Sequence, residues 1–298
     1  MSLKNLIKSD RFIVTAELGP PQSANSSVIE RKAGYFKGLV HAVNITDNQT
    51  AIVRFSSIAA AKILIDSGLE PVIQMTCRDR NRIAIQSDLL GAFGLGIENV
   101  LCLTGDYTTS GTQPEARPVY DMDSIQLIAS VSRMNRGVLL SGDPIKTPTG
   151  FCIGGAANPF APPFEMRIIR LQKKIAAGAH FIQTQPVFDL EIFKKWMERV
   201  NGLGLSKKTA ILAGVMPVKS VKALEYMKSQ VPGMRIHPSF IKRMAESEDP
   251  KAEGVNIAVE LIEQIREIPG IRGIHLMPLM WESITPEIIK KSGITIDE

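Results

Sequence analysis

A single closed (βα)8 TIM barrel occupying residues 1–298 as one α/β domain is the fold this sequence predicts, on three observations. Short apolar bursts recur along the chain, and each stops on a polar residue. Phe12 to Ala16 ends on Glu17, and Val72-Ile73 runs into Gln74 and Thr76. Val100 to Leu103 ends on Thr104-Gly105-Asp106, and Phe181-Ile182 on Gln183-Thr184-Gln185. Three bursts are approached in the same way, by a helical pattern, a glycine (Gly68, Gly96, Gly178) and two or three further residues. A helix that ends on a left-handed glycine and feeds a strand buried on both faces leaves that trace. Finally, eight strand candidates alternate with eight helical regions, which suits a closed barrel better than an open doubly wound sheet.

Taken in order, strands are expected at 12–17, 42–46, 71–76, 99–104, 151–156, 181–185, 210–216 and 273–277. Helical patterns fill the intervals at 27–37, 52–66, 81–95, 123–135, 164–177, 190–200, 220–229 with 239–247, and 253–267. The last of these shows the reasoning. Val255, Ala258, Val259, Ile262 and Ile265 share one face at helical spacing, while Glu253, Glu260, Glu263 and Arg266 lie off it. No linker interrupts the alternation. Two loop-like stretches, Tyr107 to Arg117 and Ala156 to Pro163, each follow a strand. In a parallel barrel such loops hang over the C-terminal mouth, where ligands are held. Polar groups far apart in sequence therefore converge there.

The composition is globular, with 44% hydrophobic and 22% charged residues. A net charge of +5 suggests a mild preference for anions, but the 35 basic residues are dispersed, which argues against a nucleic-acid partner. Cys77, Cys102 and Cys152 sit in or beside apolar strands, with no CxxC spacing and no pairing with the four histidines. Buried, reduced thiols and no metal site are expected. The opening Met-Ser-Leu-Lys-Asn-Leu-Ile-Lys is too short and polar for a signal peptide, and no apolar stretch approaches about 18 residues. A cytoplasmic protein without a membrane partner is the expectation.

Three polar residues at strand ends could carry chemistry. Glu17, ringed by Val14-Thr15-Ala16 and Leu18, reads equally as a proton-holding acid or as a salt-bridged core glutamate. Asp106 reads as an anionic stabiliser of a nearby cation or as a loop cap. Gln185, before Pro186, reads as a hydrogen-bonder to a heterocycle edge or as a loop brace. No P-loop, GxGxxG or Ser/His/Asp arrangement is visible, and the glycines of 91–96 lie at a helix end and read as packing. His41 and His180 immediately precede strands on the stability face, His237 lies in a loop, and His275 is inside the last strand. Metal ligation by them is not expected. Lys173-Lys174 on the fifth helix could reach a phosphate or remain at the surface.

Five motifs, in this order and spacing, resemble the methylenetetrahydrofolate reductase family. They are Thr15-Ala16-Glu17-Leu18-Gly19-Pro20-Pro21, Met75-Thr76-Cys77 and Leu103-Thr104-Gly105-Asp106. The fourth is Ala177-Gly178-Ala179 leading to Thr184-Gln185 with Phe188-Asp189, and the fifth Gly214-Val215-Met216-Pro217-Val218. The resemblance runs from about residue 10 to about residue 280, and is to the prokaryotic catalytic-subunit type, without the regulatory domain of eukaryotic relatives. It implies a flavin-bearing barrel that reduces 5,10-methylenetetrahydrofolate to 5-methyltetrahydrofolate in one-carbon metabolism. It makes Glu17 the acid that protonates the folate nitrogen whose release opens the five-membered ring and leaves an iminium. Asp106 becomes the anion that stabilises this cation beside flavin and pterin, and Gln185 a substrate binder. One carboxyl that donates a proton and one that stays ionised would then divide the work in a single mouth.

The same resemblance places Thr76, Gly105, Asp106, Tyr120, Asp121, Ala156 and Lys174 at the flavin, expected to be FAD with FMN as the alternative. Three positions depart from the family pattern. Gln74 stands where relatives often have histidine, Thr104 where an arginine often precedes the Gly-Asp pair, and Val221 where nicotinamide-using relatives often carry phenylalanine. The first two bear on the flavin contacts. The third bears on direct oxidation of NADH or NADPH and leaves the electron donor open between a nicotinamide and an iron–sulfur partner subunit; a homo-oligomer is also compatible with the sequence. Two rival readings are another flavin-barrel oxidoreductase of the proline dehydrogenase kind, and a flavin-binding electron-transfer subunit without folate activity.

Overall fold

The computed structural model describes residues 1–231 and 233–296; the last two residues of the domain expected over 1–298 lie outside them, as does Pro232. Eight parallel strands pair in chain order, and the eighth returns to the first. They are β1 (Ile13–Leu18), β2 (Ala42–Ile45), β3 (Pro71–Thr76), β4 (Asn99–Leu103), β5 (Cys152–Ala157), β6 (Phe181–Pro186), β7 (Ala210–Val215) and β8 (Ile271–Leu276). Every expected strand is present, with ends moved by at most two residues. The helices are α1 (Leu3–Leu6), α2 (Ser27–Ala33), α3 (Ser57–Asp66), α4 (Arg82–Gly94), α5 (Ser124–Asn135) and α6 (Phe164–Ala177). They continue with α7 (Leu190–Gly202), α8 (Val221–Gln230), α9 (Pro238–Glu246), α10 (Pro250–Arg266) and α11 (Thr285–Lys291). The closed (βα)8 barrel is therefore the fold. Among the described residues no helix is long and apolar enough to cross a membrane.

Local chemistry sets the helix ends. Asn81 accepts the N–H groups of Ile83 and Ala84 at the start of α4, and Asp123 and Gln126 form a reciprocal capping box on α5. Asp249 caps α10 with Pro250 in its first turn, where the missing N–H costs nothing. At its other end α6 stops on Gly178, whose φ of +115° is open to a residue without a Cβ. The helix expected from residue 52 begins only at Ser57. Asn48, Thr50 and Ala51 all take positive φ, so this stretch is a tight turn and cannot start a helix.

Side chains alternate across each strand. Outward residues such as Val14, Ala16, Ile73 and Ile182 pack against the helices. Inward residues at the N-terminal end, including Ile13, Val72, Leu101, Cys152, Phe181 and Leu212, form a second cluster inside the barrel. Phe181 lies across Gly154, where an added Cβ would stand 2.2 Å from its ring. Helix α1 plugs this end with Leu3 and Leu6, both fully buried, each stabilising by about 2 kcal/mol. The plug is held by Glu70, whose two carboxylate oxygens accept the Leu3 N–H at 2.9 and 3.1 Å. Sequence reasoning passed over α1 because four residues are too few to show a period. It also missed α11.

Candidate active site at the C-terminal mouth

Above the apolar layer the barrel interior becomes polar. Thr15, Asn44, Gln74, Gln183 and His275 all point inward and are buried. Asn44 and Gln183 exchange amide hydrogen bonds of 2.7 and 3.0 Å. The second Gln183 amide hydrogen goes to Thr15 Oγ1 at 3.1 Å, and the Thr15 hydroxyl is also hydrogen-bonded to His275 Nδ1 at 2.9 Å and reaches the Ile274 carbonyl at 3.4 Å. His275 Nε2 is 3.8 Å from Glu17 Oε2, which accepts from Gln74 Nε2 at 2.9 Å. One oxygen of Glu17 is thus held from inside the barrel. The other, Oε1, has no hydrogen-bond partner among the described residues. Glu17 lines a cavity of about 270 Å³ bounded by the loops after β1, β2 and β8.

The mouth has a closed side and an open side. At the ends of β2 and β3, Asp47, Thr76 and Arg78 are all buried. Asp47 accepts the N–H and hydroxyl of Thr76, each at 2.9 Å, and pairs with Arg80 at 2.7 Å. Arg78 pairs with Asp79 and donates to the Asn48 carbonyl, and a longer bond reaches the Asp106 carbonyl. At the ends of β4, β5 and β6 the chain is open instead. Leu103, Thr104, Gly105, Ala156 and Ala157 are half-buried, and Asp106 and Gln185 are exposed. Gly105, at a φ of +95°, packs against Arg78 and Thr76, where an added Cβ would stand 2.9 and 3.2 Å from theirs.

The expected site residues distribute over these two sides. Asp106 projects from the open side, and its carboxylate has no hydrogen-bond partner among the described residues. Its carbonyl accepts the Tyr120 hydroxyl at 2.9 Å. Gln185 is turned out by a break in the β6–β7 register between Gln183 and Pro186. The turn needs Gly214 opposite, since a Cβ there would stand 2.4 Å from the Thr184 carbonyl. Tyr120, whose backbone is bonded to the end of β3, reaches the Gly105 and Asp106 carbonyls with its hydroxyl, and Ala156 lies at the end of the neighbouring β5. Lys174 reaches the same place from α6, its buried ammonium donating to the Ala156 carbonyl at 2.5 Å, and burial pushes its pKa down to about 8. Thr76 is turned to Asp47, and Asp121 to Arg82, whose guanidinium holds that carboxyl down to about 2. The three cysteines are buried, and burial pushes the thiols of Cys77 and Cys152 up to about 12.

Sequence reasoning missed the polar layer as a unit, and Asp47, Arg78 and Arg54 altogether. The layer did carry a signal: Thr15, Asn44, Gln74 and His275 are each a single polar residue between apolar neighbours on a strand, and Gln183 follows one. A lone polar residue in a strand buried on both faces must find its partners inside the barrel.

Residues 2–293 match the family model of methylenetetrahydrofolate reductase. A probable methylenetetrahydrofolate reductase (NADPH) of Caenorhabditis elegans is 22% identical over 98% of the chain, which spans 44% of that relative's length. The 5,10-methylenetetrahydrofolate reductase of Salmonella typhimurium is 25% identical over 76% of the chain and 72% of its own length. Among solved structures, a Clostridium thermocellum protein that binds two copies of 5-methyl-5,6,7,8-tetrahydrofolic acid superposes with a TM-score of 0.68. It is 16% identical, with 97% of this chain and 96% of that one covered. DmoA from Hyphomicrobium sulfonivorans gives 0.61 at 10% identity, covering 96% and 90%. At these identities the two structures speak for the fold alone.

Proposed function

The chain belongs to the methylenetetrahydrofolate reductase family, and we propose that it reduces 5,10-methylenetetrahydrofolate to 5-methyltetrahydrofolate at the mouth just described. The observation that carries this is the state of Glu17: Oε2 is fixed by Gln74 beside His275, and Oε1 is left to the cavity. A carboxyl so held can present a proton in one direction. Its proton goes to N10 of the folate, the N10–methylene bond breaks, and the methylene carbon is left as an iminium on N5. The Asp106 carboxylate, exposed on the open side, is placed to offset that positive charge. Gln185, turned out by the break in β6, hydrogen-bonds the edge of the pterin. Uptake of one hydride by the methylene carbon completes the N5-methyl group, and with the proton on N10 the charges balance.

A flavin, which relatives in this family generally use, supplies that hydride when bound. Gly105, Tyr120, Ala156 and Lys174 are the residues proposed to hold it, with FAD preferred. The small side chains on the open side and the cation at the end of β5 support this. Thr76 and Asp121, engaged elsewhere, support it less. For the electron donor we favour an iron–sulfur partner. Val221 opens α8 and packs half-buried against the core, offering no ring to stack on a nicotinamide. Oxidation of NADH by the purified chain and methylenetetrahydrofolate at about 1 per second or faster would overturn that choice of donor.

The test of the activity is an anaerobic half-reaction. The protein's flavin is reduced with dithionite, methylenetetrahydrofolate is added, and the oxidised flavin band is followed. The band is expected to return. A flavin that stays reduced rules out the folate reaction and favours a different flavin barrel, and a protein that binds no folate in equilibrium dialysis favours an electron-transfer subunit.

A further inference from the structure

We propose, resting on the folate reading, that the cavity beside Glu17 receives the aryl-glutamate arm of the substrate, with Arg54 as the receptor of its terminal carboxylates. The argument starts from an unpaired cation. Arg54 Nη1 donates to the Pro20 carbonyl at 3.2 Å, but Nε is buried without an acceptor. Among the described residues no carboxylate lies within ion-pair distance of it. The neighbouring cation in the cavity wall is already neutralised, since Lys32 pairs with Glu282 at 2.5 Å and also donates to the Gly19 carbonyl. Of the two cations lining the cavity, Arg54 is therefore the one with charge to offer. A buried guanidinium donor without a partner is costly unless a ligand completes it.

The chemistry of the substrate sets the direction. Glu17 protonates N10, and N10 is the atom from which the aminobenzoyl group and then the glutamate extend. With the pterin on the open side, where Asp106 and Gln185 stand, the arm must leave past Glu17. The space beyond Glu17 is this cavity. Its walls suit an aromatic ring carrying carboxylates: Pro20, Pro21, Pro278 and Leu279 are apolar, and Arg54 supplies the charge. At about 270 Å³ it is smaller than the roughly 300–1,000 Å³ that encloses a drug-sized ligand, so it takes one arm and not the whole molecule. Arginine matches a carboxylate with two parallel hydrogen bonds, which lysine cannot do.

Calorimetric titration of the holoenzyme with 5-methyltetrahydrofolate, and with the same compound lacking its glutamate, tests the assignment without turnover. Arg54→Gln is expected to weaken the complete folate by about 10- to 100-fold. The truncated compound should bind wild type and variant within about twofold, and Arg54→Lys should recover part of the loss. Equal affinities for the complete folate in wild type and Arg54→Gln would overturn the proposal. So would an equal loss for both compounds, which would mean that the cavity has collapsed and not that a receptor was removed. Failure of the wild type to bind the complete folate would overturn the folate reading itself, and the arm subsite with it.

Discussion

The two ends of the barrel interior are built from the same eight strands and differ in one respect. At the N-terminal end the inward residues are Ile13, Val72, Leu101, Phe181 and Leu212, closed by Leu3 and Leu6. One or two pleats further on, the same strands present Thr15, Glu17, Gln74 and Gln183, bonded to one another across the axis. Packing at the first end is between buried apolar side chains. At the second end the side chains are fixed by hydrogen bonds, and one carboxylate oxygen is left over. A closed barrel can bear an imperfectly satisfied layer at its mouth because the strand–helix layer and the apolar plug at the opposite end carry the hydrophobic stabilisation.

Substitutions at the two ends should therefore separate activity from stability. Glu17→Gln keeps the shape and the contact with Gln74 but removes the proton. We expect folate reduction to fall by about 10²- to 10⁴-fold, with the thermal midpoint little changed. Phe181→Ala is the mirror experiment. It empties the space over Gly154, which has no side chain of its own to fill it, and should cost about 3–5 kcal/mol in denaturant unfolding. Turnover per folded molecule should stay near wild type. A Glu17→Gln protein that unfolds easily, or a stable Phe181→Ala protein that is inactive, would break the division.

The sequence made the scaffold legible and left much of the site hidden, for physical reasons. Buried parallel strands must be apolar runs and helices often end on a left-handed glycine, so the bursts and signals such as Gly178 mark their own places, whereas the Asp249 cap starts α10 at Pro250, three residues before the apolar period shows. Strand ends were visible too, which is why Glu17, Asp106 and Gln185 could be named. Hidden were pairings between residues far apart: Thr15 with His275, Asp47 with Arg80, Tyr120 with the Asp106 carbonyl. No local pattern encodes them: closure of β8 on β1 brings Thr15 to His275, and the fold of the loops after β2, β3 and β4 brings the other partners together. Lys174 shows the limit from the other side. A doublet that could equally be surface lysines has one member, Lys174, buried between α6 and β5, and only the packing over Gly155 decides it.

The smallest expected effect sharpens the comparison at the stability end. His41 and His180 precede β2 and β6, and the Nδ1 atom of each accepts a strand N–H, from Val14 at 3.0 Å and Ile153 at 2.9 Å. Both pKa values are lowered from the model-compound 6.5. Burial is the main cause, with Lys4 and Lys8 adding to it for His180, and the amino terminus and Arg11 for His41. Below pH 6.5 the unfolded chain then binds more protons than the folded one. The stability these two rings contribute is complete above pH 6.5 and is lost as the pH falls through their lower folded values. Each protonated ring forfeits one backbone hydrogen bond, worth about 0.5–1.5 kcal/mol. The urea midpoint should accordingly drop between about pH 7 and pH 5, and His41→Asn with His180→Asn, whose amide oxygen can still accept the N–H, should flatten that limb. Proton NMR titration that places both rings at or above 6.5 would remove the mechanism, and any acid instability would then have to come from the carboxylates.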